Sequence, residues 1–304
     1  MSAKYIKRCV MDDRPIGVFD SGLGGLTVLK EIRDMLPDEN IVYFGDCGRT
    51  PYGNKSPETV RRYSFQNTRF FMEIGVKLLV IACNTSSACA FDHIEAALEF
   101  PVVEVIRPGS AAAARATRNK KVGVIGTSAT VASGVYEAVF GALDPSIEIF
   151  TQACPLFVPL VEEGPRWWNH GSARIIAWEY LDRLRGTGID CLLLGCTHYP
   201  LLSGVIGEVV GGDIALISSA RAVAAEVRDR LDASDMRRGA RVGSGSGESG
   251  GNAGGVGVGA QPDIRFYTSD SPEKFEPLCV AILGEPAAAR VQRLDIEKYE
   301  SGSL

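Results

Sequence analysis

Apolar positions along this chain fall into two alternating patterns. Residues 16–19, 41–44 and 78–82 form short runs that are apolar almost throughout, as strands buried on both faces of a parallel sheet should be. Between them, residues 26–36 and a longer span from about 57 to 74 read as helices. This strand–helix–strand rhythm predicts βαβ units and an α/β fold.

The rhythm then starts again. "IGVFDSGLGGLTVLKEI" (16–32) is echoed by "VGVIGTSATVASGVYEAV" (122–139), and "VKLLVIACNTSSACA" (76–90) by "DCLLLGCTHYPLL" (190–202). The expected architecture is therefore two pseudo-symmetric halves with parallel sheets, each with a cysteine just after a strand. Ligands of open parallel sheets bind outside the carboxyl ends of the strands. If both halves turn those ends toward one cleft, Cys83 and Cys196 face each other across it.

One stretch breaks the pattern. From 239 to 259, ten of 21 residues are glycine, too little apolar surface to offset the entropy of ordering, and a flexible insertion is expected there. Beyond it, residues 264–267 read as a further strand and "SPEKFEPLCVAIL" as a capped helix.

Composition narrows the function classes. The 304 residues are 45% hydrophobic and 23% charged, with a formal charge of -5. That suits a soluble globular protein and argues against a nucleic-acid partner, which needs a clustered cationic surface. No apolar stretch approaches the roughly 18 residues that span a bilayer, and the first fourteen residues are charged throughout, unlike a signal peptide. The expected location is the cytoplasm. The eight cysteines include no C-x-x-C pair, so reduced thiols are expected rather than a disulfide framework or a zinc site.

Several loops could carry chemistry. In "GVFDSGLGG" (17–25), Asp20 and Ser21 follow a strand, and the glycines let backbone approach a ligand; a phosphate or a carboxylate would suit such a turn. "FGDCGRTPYGNKS" (44–56) is either a second ligand loop, with Asp46, Arg49, Tyr52 and Gly53, or a solvated turn. Cys83 by itself reads as a packed thiol. Cys196 is different, because His198 follows two residues later in "GCTHYPLL", and a neighbouring imidazole raises the thiolate fraction. Two symmetric thiols suit inversion of a carbon centre: one removes a proton from one face while the other returns one from the opposite face.

At this level of detail the chain resembles the cofactor-independent aspartate/glutamate racemase superfamily, and within it the glutamate racemases. The resemblance rests on "GVFDSGLGGLTVL" (17–29), "YFGDCGRTPYGNKS" (43–56), "ACNTSSA" (82–88), "GVIGTSATVASGVY" (123–136), "CPLFVPLVEEG" (154–164) and "LLLGCTHYPLL" (192–202), in the family's order. It implies two α/β domains, one discontinuous (15–108 joined with 218–283, around 109–217), with the active site in the interdomain cleft. Residues 1–14, an insertion at 232–262 and a tail at 284–304 fall outside it.

The resemblance also implies roles. Cys83 would work on D-glutamate and Cys196 on L-glutamate, with Asp20 assisting Cys83 and His198 assisting Cys196. Glu162 would be a second carboxylate, although Glu163 is adjacent. Substrate contacts would come from Asp20, Ser21, Tyr52, Gly53, Asn84, Thr85, Thr197 and His198, with Thr127 and Thr130 as weaker candidates. No cofactor or metal is implied, the partner is the small-molecule substrate, a homodimer is left open, and the product is D-glutamate for peptidoglycan. The two tryptophans of "PRWWNHGS" (165–172) are expected to pack in the core or at an interface.

Overall fold

The computed structural model describes residues 12–239, 261–284 and 291–299. The leader up to residue 11 and the glycine-rich residues 240–260 lie outside the described residues.

Among the described residues ten strands form two sheets. They are β1 (Ile16–Asp20), β2 (Ile41–Gly45), β3 (Leu78–Ile81), β4 (Val102–Glu104), β5 (Lys121–Gly126), β6 (Glu148–Ala153), β7 (Cys191–Gly195), β8 (Ala215–Ser218), β9 (Ile264–Thr268) and β10 (Val291–Arg293). One sheet has the order β10-β9-β2-β1-β3-β4 and the other β6-β5-β7-β8. Every pairing is parallel. The sequence echo has a topological counterpart, since β2-β1-β3-β4 and β6-β5-β7-β8 share one order. β1 matches β5, and β3 matches β7, so the two cysteine-bearing turns follow equivalent strands.

β1 as far as Phe19, and β3 throughout, are apolar because both faces are covered. On one side lies the helix Pro57–Ile74, which begins at Ser56, whose hydroxyl accepts from the Thr59 amide, and ends on Gly75 in the left-handed conformation. Its Phe70 and Phe71 pack with Phe19 and Phe44, each buried ring contributing roughly 1.5–3 kcal/mol. On the other side the core is continuous across both sheets, running from Val18 and Val80 to Val124 and Leu193. The helix Ala220–Ala233 returns the chain from the second sheet and packs on Leu26–Met35 and Ile106–Ala116.

Three expectations change. The expected insertion begins at 232, yet the helix continues to Ala233 and the following turn is held firmly. Lys77, fully buried, donates from Nζ to Glu39 Oε2 (2.5 Å), Asp12 O (2.8 Å) and Met236 O (2.9 Å), while the Arg238 amide donates to Glu39. The segment set aside as a tail from 284 supplies β10 and buries Leu294, Ile296 and Tyr299 against Phe70 and Phe71. Ser271 does stand at the N-cap of the helix Pro272–Leu283, but its hydroxyl bonds Glu273 rather than a backbone amide. Among the described residues no helix is long and apolar enough to cross a membrane.

Candidate active site

The carboxyl ends of β1, β3, β5 and β7 converge on one narrow pocket. Its lining includes Ser21, Pro51, Tyr52, Gly53, Cys83, Asn84, Thr85, Thr127, Val158, Cys196, Thr197 and His198. Register explains the convergence: Phe19 of β1 pairs with Ile81 of β3, and Gly126 of β5 with Gly195 of β7. Asp20 and Cys83 thus leave neighbouring strands of one sheet, and Thr127 and Cys196 leave neighbouring strands of the other.

Cys83 caps the helix Asn84–Ala97, and its Sγ accepts from the Ser86 amide at 3.4 Å. The thiol itself donates to Ser21 Oγ at 3.5 Å. A helix N-terminus favours a thiolate, but burial wins here. Desolvation first, and then the charge of Asp20, push the Cys83 thiol up to about 12 despite its hydrogen bonds with Ser21 and Ser86. In the resting site Cys83 is therefore a protonated acid.

Cys196 follows β7 and lies 3.8 Å from Nδ1 of His198. The other ring nitrogen, Nε2, meets Glu162 Oε1 at 2.8 Å. Burial opposes charge on His198, but its hydrogen bonds to Cys196 and Glu162 outweigh that, and its pKa is held well above the usual imidazole value. A protonated His198 donates to both neighbours, so Cys196 has a cation beside it at neutral pH. Glu162 is the carboxylate that faces His198, and with Glu163 it also lines a neighbouring pocket.

Asp20 is completely buried, and desolvation raises its pKa against the opposing pull of His198 and the amides of Gly22 and Gly25. Its direct side-chain bond is to Thr197 Oγ1 (3.3 Å), which also lies 3.4 Å from His198 Nδ1. Cys83 bonds Ser21 and the Ser86 amide rather than Asp20, so Asp20 reaches Cys83 through its field. Around the rest of the pocket, Asn84 Nδ2 donates to the Tyr136 hydroxyl (3.0 Å), and Thr85, Thr127 and Thr130 join their hydroxyls in a closed triangle of 2.9–3.2 Å. Tyr52 lines the pocket while its hydroxyl is turned away, donating to Asp46 and accepting from Asn67.

The glycine loop works differently from the anion cradle its sequence suggests. A Cβ on Gly24 would lie 2.3 Å from both His198 Nδ1 and Thr197 Oγ1, and one on Gly22 would lie 2.6 Å from Glu162 Oε1. These glycines admit His198, Thr197 and Glu162 of the other half to the loop backbone. Tyr136 was not singled out from the sequence; its only signal is its place at the end of "GVIGTSATVASGVY". Trp168 packs partly into the core and donates to Val161 O, consistent with its expected packing role. Among the described residues no three His, Cys, Asp or Glu side chains gather as a metal site.

Paired parallel α/β sheets with a thiol from each half at a shared cleft define an amino-acid racemase class, and comparison with known proteins agrees. The model of the Asp/Glu/Hydantoin racemase family matches residues 24–227, and the chain belongs to that family. Its relatives there are named glutamate racemases. That of Geobacter metallireducens is 51% identical over 225 residues, covering 74% of this chain and 83% of the relative. Among solved structures, glutamate racemase isoform RacE1 from Bacillus anthracis superposes with a TM-score of 0.83 at 36% identity, covering 93% of this chain and 98% of that one. Glutamate racemase from Francisella tularensis in complex with D-glutamate gives a TM-score of 0.82 at 33% identity, covering 95% and 100%. The chain is thus an isomerase of the racemase type.

Proposed function

We propose that the chain interconverts L-glutamate and D-glutamate by exchanging the Cα proton between two thiols, and that it supplies D-glutamate for peptidoglycan in the cytoplasm. The observation that carries this reading is the convergence of Cys83 and Cys196, from equivalent positions of two similar sheets, on one pocket.

The electrostatics favour one resting form. Cys196 has the charged His198 beside it and is the base toward L-glutamate, and Cys83, held neutral by burial, is the acid. In the L-to-D direction the Cys196 thiolate takes the Cα proton, forming S–H as C–H breaks. The electron pair passes into the substrate carboxylate. Cys83 then gives its proton to the opposite face of Cα and is left as thiolate beside Ser21 and the Ser86 amide. Exchange of one proton from Cys196 and one to Cys83 resets the site. The costly step is ionising a weakly acidic C–H, and donors fixed in advance around the substrate carboxylates lower it. Ser21, Asn84, Thr85, Thr197 and the Gly53 amide are the candidate contacts, with Asp20 as acceptor for the ammonium. Tyr52 contributes its ring rather than its hydroxyl.

The chain should racemise glutamate at least 10-fold faster than aspartate in kcat/KM. Cys83→Ala and Cys196→Ala should each abolish turnover while circular dichroism shows the fold intact. Near-normal turnover in either variant, or a preference for aspartate, would overturn the reading.

A further inference from the structure

The lip of the pocket is held from an unexpected direction. Pro51, Tyr52 and Gly53 form one wall, and Gly53 packs so closely on the opposite half that a Cβ there would lie 2.4 Å from Thr127 Cβ. What fixes this lip is a buried polar hub around Arg49. Its Nε donates to Asp46 Oδ2 (2.7 Å), its Nη1 to Gln66 Oε1 (2.6 Å), and its Nη2 to Asn67 Oδ1 (3.2 Å). The guanidinium carbon sits 4.0 Å from the centre of the Tyr63 ring. Asp46 and Asn67 are the same two groups that hold the Tyr52 hydroxyl. Ser269, just past β9, adds a bond to Asp46 Oδ1 at 2.7 Å.

The outer side of the hub is closed by residues 291–299. Gln66 Nε2 donates to the Tyr299 carbonyl (2.8 Å), and Arg49 Nη1 reaches Glu297 Oε1 (3.2 Å). Leu294, Ile296 and Tyr299 are anchored in the core beneath. These residues lie beyond the family match at 24–227. The chain of contacts runs from the Tyr299 carbonyl through Gln66 to Arg49, then to Asp46 and Asn67, and on to Tyr52 at the pocket.

We propose that the segment 291–299 is a brace for the substrate pocket, acting through Gln66 and Arg49, and that these two are positioning residues that hold the Pro51–Tyr52–Gly53 lip against Thr127. Neither touches the reacting atoms. Their loss loosens substrate binding in both directions and leaves the thiol chemistry largely in place. Glu297 has a side chain that is 70% exposed, so its ion pair contributes little and the backbone tie at Tyr299 carries the coupling. The kinetic part of this rests on the racemase reading; the mechanical part does not.

The experiment uses the full chain with Gln66→Glu, Gln66→Ala and Arg49→Ala. Gln66→Glu keeps an acceptor for Arg49, loses the donor to Tyr299 and adds a negative charge beside the guanidinium. In Gln66→Ala, KM for both glutamate enantiomers should rise about 10-fold with kcat lowered less than about 3-fold, and Gln66→Glu should fall between it and the parent. Arg49→Ala should behave like Gln66→Ala or worse and recover with added guanidinium ion. Independently of turnover, backbone amides of residues 50–55 should exchange hydrogen about 10-fold faster in Gln66→Ala, while strand amides of β5 and β7 keep their protection. Unchanged protection at 50–55 in Gln66→Ala, or loss of kcat with KM unaltered, would overturn the brace. A parent chain without racemisation would instead count against the glutamate reading, and the exchange data would still decide the brace.

Discussion

His198 is the residue on which the asymmetry of the site turns. Its two nitrogens bind Cys196 and Glu162, and the raised pKa that results keeps a cation next to one thiol only. Cys83, without such a partner, is held neutral by burial and by Asp20. Replacing His198 by Asn should therefore lower kcat from L to D at least 10-fold more than kcat from D to L, with KM for L-glutamate falling in the same proportion because an equilibrium constant of one keeps kcat/KM equal in the two directions; following both directions by circular dichroism of the amino acid checks it, and an equal loss of kcat would break the pairing with Cys196. The Cys196–His198 pairing was partly visible in sequence, because in a turn that follows a strand the C-x-H spacing keeps an imidazole within reach of the thiol. Which of Glu162 and Glu163 faces that imidazole was not, since it depends on the rotation of the short helix Phe157–Glu162. The glycines of "GVFDSGLGG" read in sequence as letting backbone approach a ligand, whereas what approaches Gly24 is His198 and Thr197, from more than 170 residues away.

At the scale of elements, the strands that hold the site were legible because both faces of a parallel strand are covered, which leaves unbroken apolar runs. The helix Pro57–Ile74 carries its own punctuation, Ser-Pro at the start and Gly at the end. β10 carries none. It is three residues long at a sheet edge, too short for any period; it pairs with β9, and the residues just after it, Leu294, Ile296 and Tyr299, are fixed against Phe70 and Phe71, more than 200 positions away. The glycine-rich stretch is legible as composition, but the anchoring of its flank is not. Lys77 and Glu39 are an apolar-environment ion pair at the amino ends of β3 and β2, on the side away from the pocket. Lys77→Met removes the cation from Glu39 Oε2 and leaves the buried carboxylate with only the Arg238 amide and Arg237 on its other oxygen, and should lower stability by roughly 3 kcal/mol while kcat stays within about 2-fold. Urea unfolding and an activity assay test both halves of that statement, and a comparable fall in kcat would mean the corner is coupled to the site.

The whole molecule binds its site at a cost in stability. Asp20, Asp46 and Cys83 all have pKa values raised first by burial, so each favours the protonated state more when folded than when unfolded. For Cys83 the sign is as follows. Between the reference thiol value near 8.5 and the folded value of about 12, the unfolded chain has lost a proton that the folded chain keeps, so stability falls as pH rises through that window. Below it the thiol is protonated in both states and contributes no slope. Other buried thiols behave alike, Cys191 and Cys279 among them, so the difference between variants is the informative quantity. Thermal midpoints of the parent should drop more steeply between pH 8.5 and 10 than those of Cys83→Ala; parallel curves would show that Cys83 is not held neutral. The pseudo-symmetric architecture was the most legible feature at this scale, because repeated strand–turn–helix patterns survive in the order of residues. The meeting of the two halves at one cleft rests on packing across the shared core, which no local pattern encodes.

The most direct test follows the Cα hydrogen itself. With L-glutamate in deuterated water, Cys83 exchanges with solvent between turnovers, so every D-glutamate formed early should carry deuterium at Cα while the remaining L-glutamate is still unlabelled. Inversion without label, or label washed into L-glutamate as fast as D-glutamate forms, would contradict two thiols acting on opposite faces.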